Sequence, residues 1–173
     1  MKVLFGVDVG GTDIKLGAFD WKSQKLLKKW AIKTDLSNEG KQIIPDVAKE
    51  IQSYLCENAL SEADVYGIGM GIPGPVDKDG NVEVCVNLFW NNFNPAEEMR
   101  KFFPHAYIQT GNDANVAALG EFVQGAGRKY KTMMLITLGT GVGGGIILNG
   151  DIVLGASGLA GEIGHIAVGS KDS

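Results

Sequence analysis

Two cysteines among 173 residues, Cys56 and Cys85, stand far apart and outside any CxxC or Cys/His cluster. That argues against a disulfide framework or a self-contained zinc site, and reduced thiols point to the cytoplasm. Basic residues do not dominate either. With 16 Lys and Arg against 20 Asp and Glu and a pI near 5.2, the chain has no positive footprint, so the expectation is no nucleic-acid partner. No apolar run approaches membrane-spanning length and no charged leader precedes an apolar stretch, so no membrane or secretion signal is visible. The P-loop pattern GxxxxGKS/T occurs nowhere.

What is present is glycine and apolar residues in a globular proportion: 25 Gly and 45% hydrophobic against 21% charged, enough for one or two domains with a sizeable core. Val3, Leu4, Phe5, Val7 and Val9 read as a buried strand, and Ile14 to Phe19 as its antiparallel return. Gly10 and Gly11 take the turn, where a missing Cβ permits positive φ or close approach of another group. A third strand is expected over 26–34, an amphipathic helix over 39–58, a glycine-rich strand over 66–72 and turn chemistry through "PGPVDKDGN". A short helix over 95–103, a strand over 105–109, a helix over 115–124 and a strand over 131–139 follow, the last returning through Ile146, Ile147 and Leu148.

The segment "GTGVGGG" at 139–145 contains GxGxxG, but a dinucleotide site needs a helix to open at the last glycine. Here "GIILNG" continues as a strand, which rules against that site. The segment instead repeats the form of the first hairpin, and Gly10 with Gly139 and Thr12 with Gly141 share one offset of 129 residues. Two such glycine turns suggest duplicated halves, each offering backbone amides to an anion.

"DVGGTDIK" at 8–15, "GIPGPVD" at 71–77, "GNDANVAALGE" at 111–121, "GTGVGGG" at 139–145 and "GEIGH" at 161–165 occur in that order. Together they resemble the ROK family of sugar kinases and repressors, within the actin-like ATPase and hexokinase superfamily. The resemblance covers essentially the whole chain. It implies an α/β fold: an actin-like, ribonuclease H-like domain with a mixed sheet over 1–110, and the opening of a second, larger such domain over 111–173. It also implies ATP-dependent phosphorylation of a hexose, with glucose the expected substrate, in a full-length form that is a homodimer. N-acetylmannosamine, allose or fructose kinases of the same family are the alternatives, and so is a catalytically incompetent sugar-binding fragment.

By this resemblance Gly10, Gly11 and Thr12, with Thr140, Gly141 and Gly143 in the second hairpin, meet the ATP phosphates, and Asp8 holds Mg²⁺ directly or through water. Lys15 either adds positive charge there or is a solvated strand lysine. Asp113 is the general base toward the sugar hydroxyl, with an N-cap as its plainer reading. Asn112, Gly74 and Asn87 belong to the sugar side. Glu162 and His165, three apart on one face of a helical turn, suit adjacent sugar hydroxyls or, more plainly, an ion pair or a core histidine. His165 is also a family zinc ligand, but the cysteine segment that follows it in the family does not occur in these 173 residues. Zinc is therefore expected only in a longer form. The family's repressors carry a DNA-binding segment ahead of DxGGT, and with seven residues before Asp8 a regulator is disfavoured.

Overall fold

The computed structural model describes residues 1–139, 141–156 and 158–166. The chain forms two compact units, Met1–Asp113 and Ala114–Ser173. In the first, β1 (Val3–Val9), β2 (Asp13–Asp20) and β3 (Leu26–Lys33) make an antiparallel meander. Helix α1 (Ile43–Glu57) then returns the chain to β4 (Val65–Ile72), which pairs in parallel with β1. An antiparallel ribbon of β5 (Val82–Cys85) and β6 (Trp90–Phe93) precedes helix α2 (Pro95–Arg100), and β7 (Tyr107–Asn112) closes the sheet in parallel with β4. The sheet is thus mixed, in the order β3-β2-β1-β4-β7.

Alternation explains which face is buried. Val3, Phe5, Val7 and Val9 of β1 and Ile14, Leu16 and Ala18 of β2 are buried, while Gly6, Asp8 and Lys15 are exposed. Ile43, Val47, Ile51, Tyr54 and Leu55 form the apolar stripe of α1 and belong to the same core. Tyr54 ties the layers together, edge-on to Phe5 with centroids 5.5 Å apart and stacked on Trp30 at 5.7 Å. α2 starts where its sequence says: Asn94 Oδ1 accepts the Glu97 amide and Pro95 opens the first turn.

The second unit contains the rest of helix α3 (Asp113–Val123) and an antiparallel sheet of β8 (Met133–Leu138), β9 (Val142–Leu148) and β10 (Asp151–Ile152), in the order β10-β9-β8. Small residues let its layers approach. A Cβ on Gly145 would lie 2.5 Å from Ala118 Cβ, and one on Gly143 would lie 3.2 Å from Ala114 Cβ. The glycines of β9 therefore admit α3 against the strand. No helix of the described residues is long and apolar enough to cross a membrane.

Three expectations need correction. Gly10 and Gly11 are outside the positive-φ region, which holds Gly40, Gly74, Gly80 and others instead, so their role is space and not conformational freedom. The common offset of 129 holds through the first strands but fails by one residue in the returns. Val9 pairs with Ile14 across four residues, whereas Leu138 pairs with Val142 across three. The strand expected over 105–109 starts two residues later and ends three later, at Asn112, leaving no loop before α3 at Asp113.

Candidate active site

The first cluster surrounds the β1–β2 turn. The Gly10 amide donates to Asp13 O at 3.1 Å, closing the turn, and a Cβ at Gly10 would sit 2.7 Å from that same oxygen. Thr34, just past β3, holds the turn from below: its Oγ1 donates to Gly10 O at 2.6 Å and its backbone N–H donates to Thr12 O at 3.0 Å. Gly11 meets the backbone at Asn87, where a Cβ would lie 3.3 Å from Asn87 O. The phosphate-side turn and the sugar-side residue Asn87, two sequence expectations 76 positions apart, are thus brought together within one unit.

Charge around the turn is paired but exposed. Asp8 and Lys15 face each other across the β1–β2 ladder, Nζ to Oδ2 at 3.0 Å, and Lys33 reaches Asp13 at 2.8 Å. Exposed pairs of this kind contribute about 0–1 kcal/mol, so either partner can be drawn off by a phosphate or a divalent cation. Asp8 is thus an accessible carboxylate beside the turn, of the kind Mg²⁺ takes together with phosphate oxygens. The Lys15 ammonium is directed to Asp8, a partner the sequence reading did not give it.

The second cluster is the corner where β4, β5 and β7 end. Asn112, buried, donates its side-chain amide to Gly74 O at 3.0 Å, and Gly74 has φ +113°, a conformation open to glycine. Cys85 donates its thiol to Pro73 O at 2.7 Å, tying the β5–β6 ribbon to the "GIPGP" segment. Burial pushes the Cys85 thiol up, and the negative charge of Asp113 adds to the rise. Asp113, the first residue of α3, is exposed. Asn87 sits in the 3-10 turn Val86–Leu88 that joins β5 to β6. That turn is anchored by Trp90, whose buried indole donates to Gly40 O at 3.1 Å, and Gly40, at φ +67°, lies so close to Leu88 O that a Cβ there would be 2.2 Å away.

The remaining expected residues lie in the second unit. Glu162 precedes a 3-10 turn at Ile163–His165, and Glu162 Oε2 is 3.9 Å from His165 Nε2, so the two side chains do face one way. The turn lies against β9: a Cβ on Gly164 would be 2.2 Å from Val142 O, and one on Gly161 would be 2.6 Å from Gly144 O. Gly141 lies in the β8–β9 turn, with nothing within 4 Å of a Cβ placed there. Gly143 is already in β9, against Thr137 and Ala114. The strand continues through Gly144, so no helix opens at the last glycine of GxGxxG. Thr140 is outside the described residues. Among the described residues no group of three or more His, Cys, Asp or Glu is arranged to hold a metal ion, and the neighbour of His165 is Glu162, not a cysteine. The described donor set around His165 does not fit structural zinc.

Residues 4–173 match the model of the ROK family. The chain belongs to the ROK family. A glucokinase of Halalkalibacterium halodurans is 44% identical over 164 residues, covering 94% of this ROK chain and 49% of the relative. An N-acetyl-D-glucosamine kinase of Yersinia pseudotuberculosis is 34% identical over 164 residues, covering 93% of this chain and 51% of its own. Among solved structures, a ROK family glucokinase from Streptomyces griseus in complex with glucose and AMPPNP superposes with a TM-score of 0.81 at 32% identity, covering 96% of this chain and 51% of that one. The mixed-sheet α/β fold is accordingly that of the ROK kinases, and the chain spans about half the length of the relatives it matches. Sequence reading of this ROK member missed Thr34 and the Trp90–Gly40 anchor. A lone threonine after a strand and a tryptophan in an apolar run carry no pattern of their own.

Proposed function

We propose that this protein is the N-terminal portion of an ATP-dependent hexose kinase and that its sugar is glucose. The observation that carries the reading is the assembly, in one unit, of a glycine turn flanked by an accessible carboxylate and a corner where Gly74, Asn112 and Asp113 adjoin. Phosphoryl transfer requires positioning and charge stabilisation more than covalent help, and these residue types supply both. Gly10, Gly11 and Thr12 bind phosphate through the amides and hydroxyl of the turn, and the family resemblance gives Thr140, Gly141 and Gly143 of the second hairpin the same ligand. Lys15 supplies positive charge once released from Asp8. Mg²⁺, when bound, neutralises charge on the transferring phosphate, and Asp8 is the residue to hold it.

On the acceptor side, Asp113 takes the proton from the attacking sugar hydroxyl at its carboxylate. Asn112, its amide fixed on Gly74 O, and Asn87, fixed through the Trp90 anchor, orient the sugar. The family resemblance assigns sugar hydroxyls to Glu162 and His165 as well. The cytoplasm is the compartment that suits such a kinase and its unpaired thiols.

The higher identity to a glucokinase than to N-acetylhexosamine kinases supports glucose. A coupled assay of the complete protein with ATP and Mg²⁺ across glucose, mannose, allose, fructose, N-acetylglucosamine and N-acetylmannosamine tests both levels. Turnover highest on glucose is expected. Equal or better turnover of an N-acetylhexosamine overturns glucose, and sugar binding without phosphorylation overturns the kinase in favour of a sugar-binding module.

A further inference from the structure

The turn between β1 and β2 is held at two carbonyls by one residue. Thr34 Oγ1 donates to Gly10 O at 2.6 Å, and Thr34 N–H donates to Thr12 O at 3.0 Å. A trans peptide is planar, with its C=O and the following N–H pointing to opposite sides. Fixing Gly10 O toward Thr34 therefore aims the Gly11 N–H away from β3. Fixing Thr12 O does the same for the Asp13 N–H. The same turn is closed by Gly10 N–H on Asp13 O at 3.1 Å, which fixes the preceding Val9–Gly10 peptide, so both peptides of Gly10 are held. Gly11 also abuts Asn87 O, which limits displacement toward the β5–β6 ribbon.

We propose that Thr34 is a positioning residue of the phosphate-binding turn, whose hydroxyl pre-aims the Gly11 amide at the nucleotide. This rests on the reading of that turn as a phosphate site. Half-buried at the end of β3, Thr34 contributes no group to the nucleotide. Its effect is to remove the rotation that a glycine-rich turn would otherwise lose on binding, which is preorganisation at a site built from amides.

The test compares Thr34→Val, which keeps the shape and deletes the hydroxyl, with Thr34→Ser, which keeps the hydroxyl, in the complete protein. Affinity for AMPPNP with Mg²⁺ is read by calorimetry and glucose affinity is read without nucleotide. Loss of one hydrogen bond at a restrained carbonyl should weaken AMPPNP about 3- to 10-fold in Thr34→Val, with Thr34→Ser within about twofold of the parent. Glucose affinity should not move, which a general loss of structure would not allow. Gly11 amide exchange in the unmodified protein gives a reading that needs no variant, and it should slow when AMPPNP binds.

Thr34→Val binding AMPPNP like the parent, while Gly11→Val loses it, overturns the clamp and leaves the phosphate site standing. Neither variant affecting AMPPNP in a folded protein overturns the phosphate site and the clamp with it. Unchanged Gly11 exchange overturns the aimed amide.

Discussion

A single methyl group at Gly10 puts the geometry of the turn to a direct test. The Cβ of Gly10→Ala would lie 2.7 Å from Asp13 O, closer than real Cβ contacts come, and the obstacle is backbone, which cannot swing aside as a long side chain can. That oxygen also receives the Gly10 amide, so relieving the clash stretches the bond that closes the turn. Overpacking of this kind costs about 1–3 kcal/mol. In a unit of 113 residues each kcal/mol lowers Tm by about 4–8 °C. Two companions grade the effect. At Gly11 an added Cβ meets Asn87 O at 3.3 Å and asks the neighbour to give by a few tenths of an ångström, and at Gly69 it meets nothing within 4 Å. Thermal melts by circular dichroism should rank Gly10→Ala lowest and Gly11→Ala between, with Gly69→Ala within about 0.5 kcal/mol of the parent. AMPPNP titrations should lose affinity in the same order. Gly10→Ala melting together with Gly69→Ala would refute the steric reasoning.

Two further outcomes concern titration. The exposed Cys56 should react with iodoacetamide in the native protein while Cys85, buried and with its thiol pushed up by burial, is protected until unfolding; mass spectrometry of the labelled peptides reads this, and equal labelling would contradict the placement of β5. Asp20, Asp35, Asp64 and Asp77 all have carboxyls lowered, chiefly by hydrogen bonds from Ser23, Ser37, Ser61 and Asn81. A depressed carboxyl stabilises the fold above its unfolded value and loses that contribution as pH falls through the folded one. Urea midpoints should therefore be flat near neutrality and fall from about pH 4 downward. Asp77→Ala should flatten part of that fall, because Asp77 Oδ1 accepts the amides of Asp79 and Asn81.

Much of the first unit was legible because its strands alternate and its helix keeps one stripe: the β1–β2 pairing follows from Val3 to Val9 and its return, and "YGIGMGI" marks β4 as a strand, though not its parallel pairing with β1. The β5–β6 ribbon was not, since its connection carries a lone Asn87 among Val86, Leu88 and Phe89, with no Asn-Gly or Asp-Gly pair to mark a hairpin. Val86–Leu88 form a 3-10 turn and Phe89 takes φ +58°, a left-handed conformation that a sequence rule does not assign to phenylalanine. Asp77, Asp79 and Asn81 were readable as a turn because Asx residues bond their own backbone. The site was legible as motifs but not as contacts. That Gly11 meets Asn87, or that Thr34 holds Gly10, follows from strand order, not from spacing along the chain. In the second unit the β8 run is apolar at every position but Thr137, yet Met134, Ile136 and Leu138 are exposed, because alternation turns every second residue away from β8's half-buried side.

The role proposed for Asp113, taking the proton of a sugar hydroxyl during phosphoryl transfer, is tested by Asp113→Asn. Asn keeps the size and one acceptor but cannot take the proton, and Asp113 lies inside the first turn of α3 and not at its N-cap, so the substitution leaves the cap residue unchanged. Steady-state kinetics and a glucose isotherm are run on the variant and its parent at one pH. In the variant kcat should fall by about 10²-fold or more with glucose affinity nearly unchanged. Near-normal kcat in the folded variant would contradict it and leave Asp113 as nothing more than the first residue of α3.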